Sequence, residues 1–205
     1  EKYPFLLQNV KLQKNLLLNV LRASGYYFAN VDVKIVDNQN NSVDLVYDFI
    51  LGKRAIIKKI NFQGNKIFRD SKLRNVIKSE EGRFWKFITS NKYLNETKIK
   101  NDEILLKKYF QNKGYYDVII KTSYAKNIDN EFFELNFNID ARQKYFFNSI
   151  TLENNDSFDQ ENFANIERKF SKLKGERYSL KKLNKIIDEI DELALQKEFV
   201  FLDRK

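Results

Sequence analysis

The chain carries one string of structural signals twice. Gly25-Tyr26-Tyr27 returns as Gly114-Tyr115-Tyr116, and the alternating set Val43, Leu45, Tyr47, Phe49 returns as Phe133, Leu135, Phe137, Ile139. Ile60 to Asn65 followed by Phe68 returns as Ile150 to Asn155 followed by Phe158. Turn residues and apolar residues keep step over a period of about 90 residues, which marks a tandem array of one supersecondary block.

Residues 8–24 place Val10, Leu12, Leu16, Leu17, Val20 and Leu21 at helical spacing. Gly25 follows where a left-handed cap is needed, because glycine takes a positive φ without a Cβ clash. Val31, Val33 and Ile35 then alternate with polar residues, residues 37–41 (DNQNN) supply turn chemistry, and Val43 to Phe49 return as a second strand. A third strand is expected at Arg54–Gln63, with Ile56, Ile60 and Phe62 inward and Gly64-Asn65 closing it. Asp70 is expected to cap a short helix built on Leu73, Val76 and Ile77. Residues 83–94 are an aromatic-rich connection holding the single Trp. A long helix is predicted from about Asn95 to Asn112, with Ile99, Leu105, Leu106, Tyr109 and Phe110 inward and Gly114 as its cap. The hairpin after it directs Val118, Ile120 and Thr122 inward on its first strand and Phe133 to Ile139 on its second. A further copy opens with an expected strand at Tyr145–Leu152. It continues with helices around residues 160–170 and 179–197, and a new strand begins at Phe199.

With 42% hydrophobic and 15% aromatic residues, the chain has the material for a packed core. Zero Cys and zero His exclude thiol nucleophiles, disulfides, imidazole bases and the usual zinc sites. The acid pairs Asp188/Asp191 and Glu189/Glu192 share a helix with an apolar opposite face, so they read as solvated surface. Ser79 and Ser90 lack a nucleophile-elbow context. The chain is therefore expected to be no enzyme and to need no metal or cofactor. A net charge of +9 raises nucleic-acid binding, yet the cations are interleaved with 28 acidic residues and form no Arg-rich arm. No nucleic-acid partner is expected; a basic nucleic-acid-binding repeat protein is the alternative of a different class. No apolar run reaches the ~18 residues of a membrane-spanning helix.

The sequence of signals, a strand, Gly-Asn, Phe, two helices, Gly-Tyr-Tyr and a hairpin, resembles the POTRA (polypeptide-transport-associated) domains. Glu81-Gly82, the stretch around Trp85, Lys92-Tyr93 and Lys113-Gly114-Tyr115 bring the resemblance closer to those of the BamA-type outer-membrane β-barrel assembly factors. It covers essentially the whole chain. Glu198, Phe199, Arg142 and Asn154 depart from the pattern, standing where the other copies have Gly, Tyr, Gly52 and Gly64. The resemblance implies an α+β fold of tandem β-α-α-β-β domains, each a three-stranded mixed sheet with two helices on one face. It implies three divisions: residues 1–52 as the second helix and hairpin of one domain, 53–142 as a complete domain, and 143–205 as a domain lacking its last strand. The natural chain is then expected to be longer at both ends, and the ragged ends to pair with another copy.

The implied function is a periplasmic arm attached to a C-terminal membrane barrel at the outer membrane. Its implied partners are unfolded outer-membrane β-barrel proteins and accessory assembly lipoproteins, bound by strand addition at sheet edges. A related translocation and assembly module or a two-partner secretion transporter is the near alternative. The complete domain's edge strand would be Asp117, Val118, Ile119, Ile120, Lys121, Thr122, Ser123 and Tyr124, which contains no Pro and so keeps every amide available. Ile119 stands out there, on the face where a one-sided sheet wants a polar residue. Gly25, Gly64, Asn65 and Gly114 are read as turn and cap positions.

Overall fold

The computed structural model describes residues 6–39, 41–64, 67–83, 89–126, 131–151 and 163–196. Elements run in the order α1 (Leu7–Ala23), β1 (Asn30–Asn38), β2 (Ser42–Ile50), β3 (Ile56–Gly64), α2 (Asp70–Arg74) and α3 (Glu96–Gln111), followed by β4 (Ile119–Lys126), β5 (Phe132–Asp140), α4 (Ala164–Leu173) and α5 (Leu180–Gln196). Two compact units result: residues 1–105 with 121–138, and residues 106–120 with 139–205.

In the first unit β1 and β2 form an antiparallel ladder from Asn30 opposite Ile50 to Asn38 opposite Ser42. Asn41 makes the tight turn with φ +52, as Asn tolerates the left-handed region. Val31 is fully buried and Val10 is the buried residue of α1. The remaining apolar residues of α1 split between two faces. Leu17 and Leu21 are half-buried, whereas Leu12, Leu16 and Val20 are 57%, 64% and 63% exposed. Asp32 and Asp48 face each other directly across the ladder, an unfavourable pair that Lys14 and Lys34 neutralise at 3.6 and 2.7 Å.

The three-stranded mixed sheet has the order β3-β5-β4. Phe62 and Phe137 stack across β3 and β5 with ring centroids 5.5 Å apart. Strand β3 departs from the expected alternation. Ile57 is buried and Ile56 only half-buried, while Ile60 and Phe62 remain core. The adjacent exposed lysines Lys58 and Lys59 mark where the alternation shifts by one residue. Asp70 is the first residue of α2 and makes no side-chain cap; Arg69 occupies the cap position. Asn95 does cap α3, accepting from the Lys98 amide at 3.0 Å.

In the second unit Phe147, Phe163, Ile166, Phe170, Leu173 and Ile186 form a core, with Ile150, Tyr178, Ile190 and Leu193 packed against it. The described part of the expected strand at Tyr145–Leu152 is not a strand. Phe146 makes one isolated bridge, to Arg177, and among the described residues the loop backbone bonds of residues 145–147 go to Gly114 and to residues 175–178. Asn65, Trp85 with its neighbours 84–88, Asn154, Glu198 and Phe199 lie outside the described residues.

The repeat is visible in the backbone bonds themselves. In the first unit the amides of Ala55, Leu94, Ile57 and Gly82 donate to the carbonyls of Gly25, Ala55, Lys92 and Ile57 at 2.7–2.8 Å. In the second, the amides of Tyr145, Tyr178, Phe147 and Gly175 donate in the same pattern to Gly114, Tyr145, Glu176 and Phe147 at 2.8–3.0 Å. Each set ties a helix-capping glycine to the start of the next copy. Gly25 and Gly114 have φ +94 and +99, as their cap positions require. A cation covers the tyrosine after each glycine: Arg54 lies 4.9 Å from the Tyr26 ring and 4.8 Å from that of Tyr93, and Lys144 lies 5.4 Å from that of Tyr115. Arg142 takes φ +54, close to the +65 of Gly52 that it replaces.

Candidate strand-docking site

A three-stranded sheet has two edges, and this one treats them differently. The outer edge of β3 is closed. The Ile57 amide donates to the Lys92 carbonyl at 2.8 Å, and the Ile57 and Ala55 carbonyls accept from Gly82 and Leu94 at 2.7 and 2.8 Å. Beyond them, side chains complete the cover: Glu81 Oε1 accepts from the Ile60 amide at 3.1 Å and Arg74 Nη2 donates to the Ile60 carbonyl at 2.7 Å. The register shift in β3 lets Ile57 and Ile60, three residues apart, present backbone groups to the same edge. Capped in this way, β3 offers an incoming strand no free pair of groups at Ile60.

Glu81 is the pivot of that closure, with 17% of its side chain exposed. Burial opposes its ionisation, but the Ile60 amide, Arg83 and Arg74 outweigh it and hold the carboxyl below its ordinary pKa. A carboxyl depressed in the folded state stabilises fully above the unfolded value of about 4.3 and loses that contribution as pH falls through the folded pKa. Glu81→Gln should therefore be less stable than the parent at neutral pH, with the gap closing as acid protonates the parent. Urea denaturation of both proteins along a pH series reads this, and a gap that does not narrow in acid would remove the assignment.

The edge at β4 is open. Among the described residues, no loop backbone bonds to Ile119–Ser123. The strand begins at Ile119, two residues later than the sequence suggests. Asp117 is drawn away as the acceptor of the Tyr145 hydroxyl, and buried Val118 gives its amide to the Tyr115 carbonyl at 3.4 Å. Ile119, Ile120 and Thr122 are half-buried, Lys121 and Ser123 are exposed, and the Tyr124 side chain lies outside the described residues. Thr122 faces α3, donating to the Glu103 carboxylate. The face turned from the helices is polar, with Asn61 bonded to Asn136 at 2.9 Å and to Glu134 at 3.4 Å. Sequence reasoning missed Glu81, Arg74 and Glu103, whose roles depend on partners far along the chain.

Among the described residues there is no cluster of three or more Asp and Glu able to hold a metal, and no helix long and apolar enough to cross a membrane. Glu189, one of the acids noted in sequence, pairs with Lys169.

Helices with a three-stranded mixed sheet, preceded in the chain by a helix and two-stranded hairpin of the same pattern, define a modular α+β protein. The family model described as POTRA, surface antigen variable number repeat, matches residues 2–50 and 55–142. The chain belongs to the POTRA family. It is 25% identical over 158 residues to the outer membrane protein assembly factor BamA of Neisseria meningitidis, covering 77% of this chain and 20% of that protein. To BamA of Buchnera aphidicola it is 25% identical over 191 residues, covering 92% of this chain and 28% of that protein. The chain thus spans between a fifth and a third of these relatives. The crystal structure of domains POTRA3-5 of Haemophilus influenzae BamA superposes with a TM-score of 0.53 at 14% identity, over 98% of this chain and 73% of that one. The chain is POTRA sequence of the kind these assembly factors carry.

Proposed function

We propose that this chain is part of the periplasmic arm of a BamA-type assembly factor, and that β4 receives unfolded outer-membrane β-barrel segments as an added strand. The observation that carries this reading is the asymmetry of the sheet: β3 is capped by Glu81, Arg74 and a loop, while among the described residues no loop backbone bonds to Ile119–Ser123 of β4. Backbone pairing is indifferent to side-chain identity, which suits a factor handling many precursors that are themselves future strands. Accessory assembly lipoproteins are proposed to use edges of the same kind, and the arm to precede its own membrane barrel at the periplasmic face of the outer membrane. No reaction, nucleotide or cofactor is assigned to it.

The domain division of 1–52, 53–142 and 143–205 belongs to this proposal. It is supported by α1, where Leu16 and Val20 lie open while their counterparts in α3, Leu105 and Tyr109, are half-buried. A strand and helix like β3 and α2 would cover them.

Proline tests the docking strand because it deletes one amide. In β4 alternate amides face β5 and solvent, so Lys121→Pro and Thr122→Pro sample both directions. One variant should lose stability by breaking the ladder. The other should stay folded by circular dichroism and lose binding of an unfolded barrel segment. Undiminished binding by the folded variant would end the strand-addition reading.

A further inference from the structure

Helix α3 has two flanks, each identified by a contact. Asp102 reaches towards the end of α2, accepting from the amides of Lys78 and Ser79. Glu103 reaches towards β4, accepting from Thr122. Lys100 precedes Glu103 by about one turn and so continues that flank outward beyond Glu103. Lys100 is exposed. Since β4 is the last strand of its sheet, a strand added to it extends the sheet on the side of Lys100. On its other face such a strand meets the exposed side chains of Lys121 and Ser123.

Neither Lys100 nor Lys121 has an ion-pair partner among the described residues. The homologous edge in the preceding copy is different. At the offset that superposes Gly25 on Gly114, Glu103 corresponds to Lys14 and Lys121 to Asp32. Lys14 and Asp32 pair with each other at 3.6 Å from helix to strand. In that copy the charges are reversed and bridge their own edge. At β4 Glu103 is engaged by Thr122, and the cations beside the edge are left for something else.

We propose that β4 selects its incoming strand by side-chain pattern. The preferred occupant is an alternating segment with acidic residues on the face shared with Lys121 and apolar residues on the helix-side face shared with half-buried Ile120. This rests on the strand-docking reading above and adds to it the chemical class of the bound segment. Backbone bonds supply general affinity, while Lys121 supplies discrimination.

The test uses fluorescence anisotropy with labelled synthetic peptides of alternating Val and Thr, carrying either Glu or Lys at their central polar positions. The parent chain should bind the Glu peptide about three- to tenfold more tightly than the Lys peptide at moderate salt, the range expected of cross-strand charge pairs. Lys121→Glu should reverse the order. If both peptides bind the parent equally, or Lys121→Glu leaves the ratio unchanged, the selection proposal is overturned and strand docking survives. If neither peptide binds either protein, both proposals are overturned.

Discussion

Gly25→Ala is expected to lower stability by about 2–4 kcal/mol. Two costs combine. The backbone sits at φ +94, where an L side chain is strained. The new Cβ would also lie 2.8 Å from Tyr93 Cβ and 3.0 Å from its Cγ. Tyr93 Cβ is fixed to the backbone, and its ring is held under Arg54, so the contact is relieved only by opening the joint that carries the Ala55–Gly25 bond. Gly114→Ala supplies the control. Its φ is +99, but the nearest atoms are Arg177 Cγ at 2.7 Å and Lys144 Cγ at 2.9 Å, both on flexible side chains. Urea denaturation should show the larger loss for Gly25→Ala by about 1 kcal/mol, the difference between displacing a fixed atom and rotating a side chain. Asn, which tolerates positive φ, should recover more stability at position 114 than at 25. Equal losses at the two glycines would mean that the Tyr93 contact is not what fixes the joint.

The repeat, the capping glycines, α1, α3 and both hairpins were legible because each rests on short-range signals, namely helical spacing, strand alternation and turn residues. What escaped the sequence depends on distant partners. Ile57 rather than Ile56 enters the core because β3 must present Ile57 and Ile60 to the loop through Lys92 and to Glu81. The one local trace of this was the Lys58-Lys59 pair, two consecutive polar residues in a strand that otherwise alternates. The start of β4 was placed too early because Asp117 reads as an ordinary polar strand residue, and its acceptor role towards the Tyr145 hydroxyl lies 28 residues away. Tyr145–Leu152 has strand-like alternation, yet a strand also needs a ladder, and among the described residues the bonds of residues 145–147 go to Gly114 and the short segment after α4. That β4 lies at a sheet edge is what the resemblance implies and what the strand order has, whereas the capping of the opposite edge had no signal in composition or periodicity.

Asp102 is the second site at which one substitution should be severe, and it shows how the copies diverge. It is fully buried on α3, and its two oxygens accept from the Lys78 amide at 2.6 Å and the Ser79 amide at 3.0 Å. Those amides follow α2, and no other bond from either is described. Asp102→Ala strips both of their acceptor, at a buried site for Ser79 and a part-buried one for Lys78, and leaves a cavity, a loss of about 2–4 kcal/mol when a fully buried stranded donor costs about 1–3 kcal/mol. Asp102→Asn should lose about half as much, because its amide oxygen still serves one donor while its NH₂ opposes the other. In the preceding copy Gln13 holds the equivalent position, and its oxygen accepts from the Tyr47 hydroxyl at 2.6 Å at an exposed site. Gln13→Ala should therefore change stability by no more than about 0.5 kcal/mol, the range for exposed positions. The comparison isolates the physical difference between the copies: one residue position on one repeated helix is a buried clamp on the segment after α2 in one copy and a surface contact in the other. Comparable losses from Asp102→Ala and Gln13→Ala in urea denaturation would refute the clamp, and with it the idea that α3 anchors the end of α2 through this carboxylate.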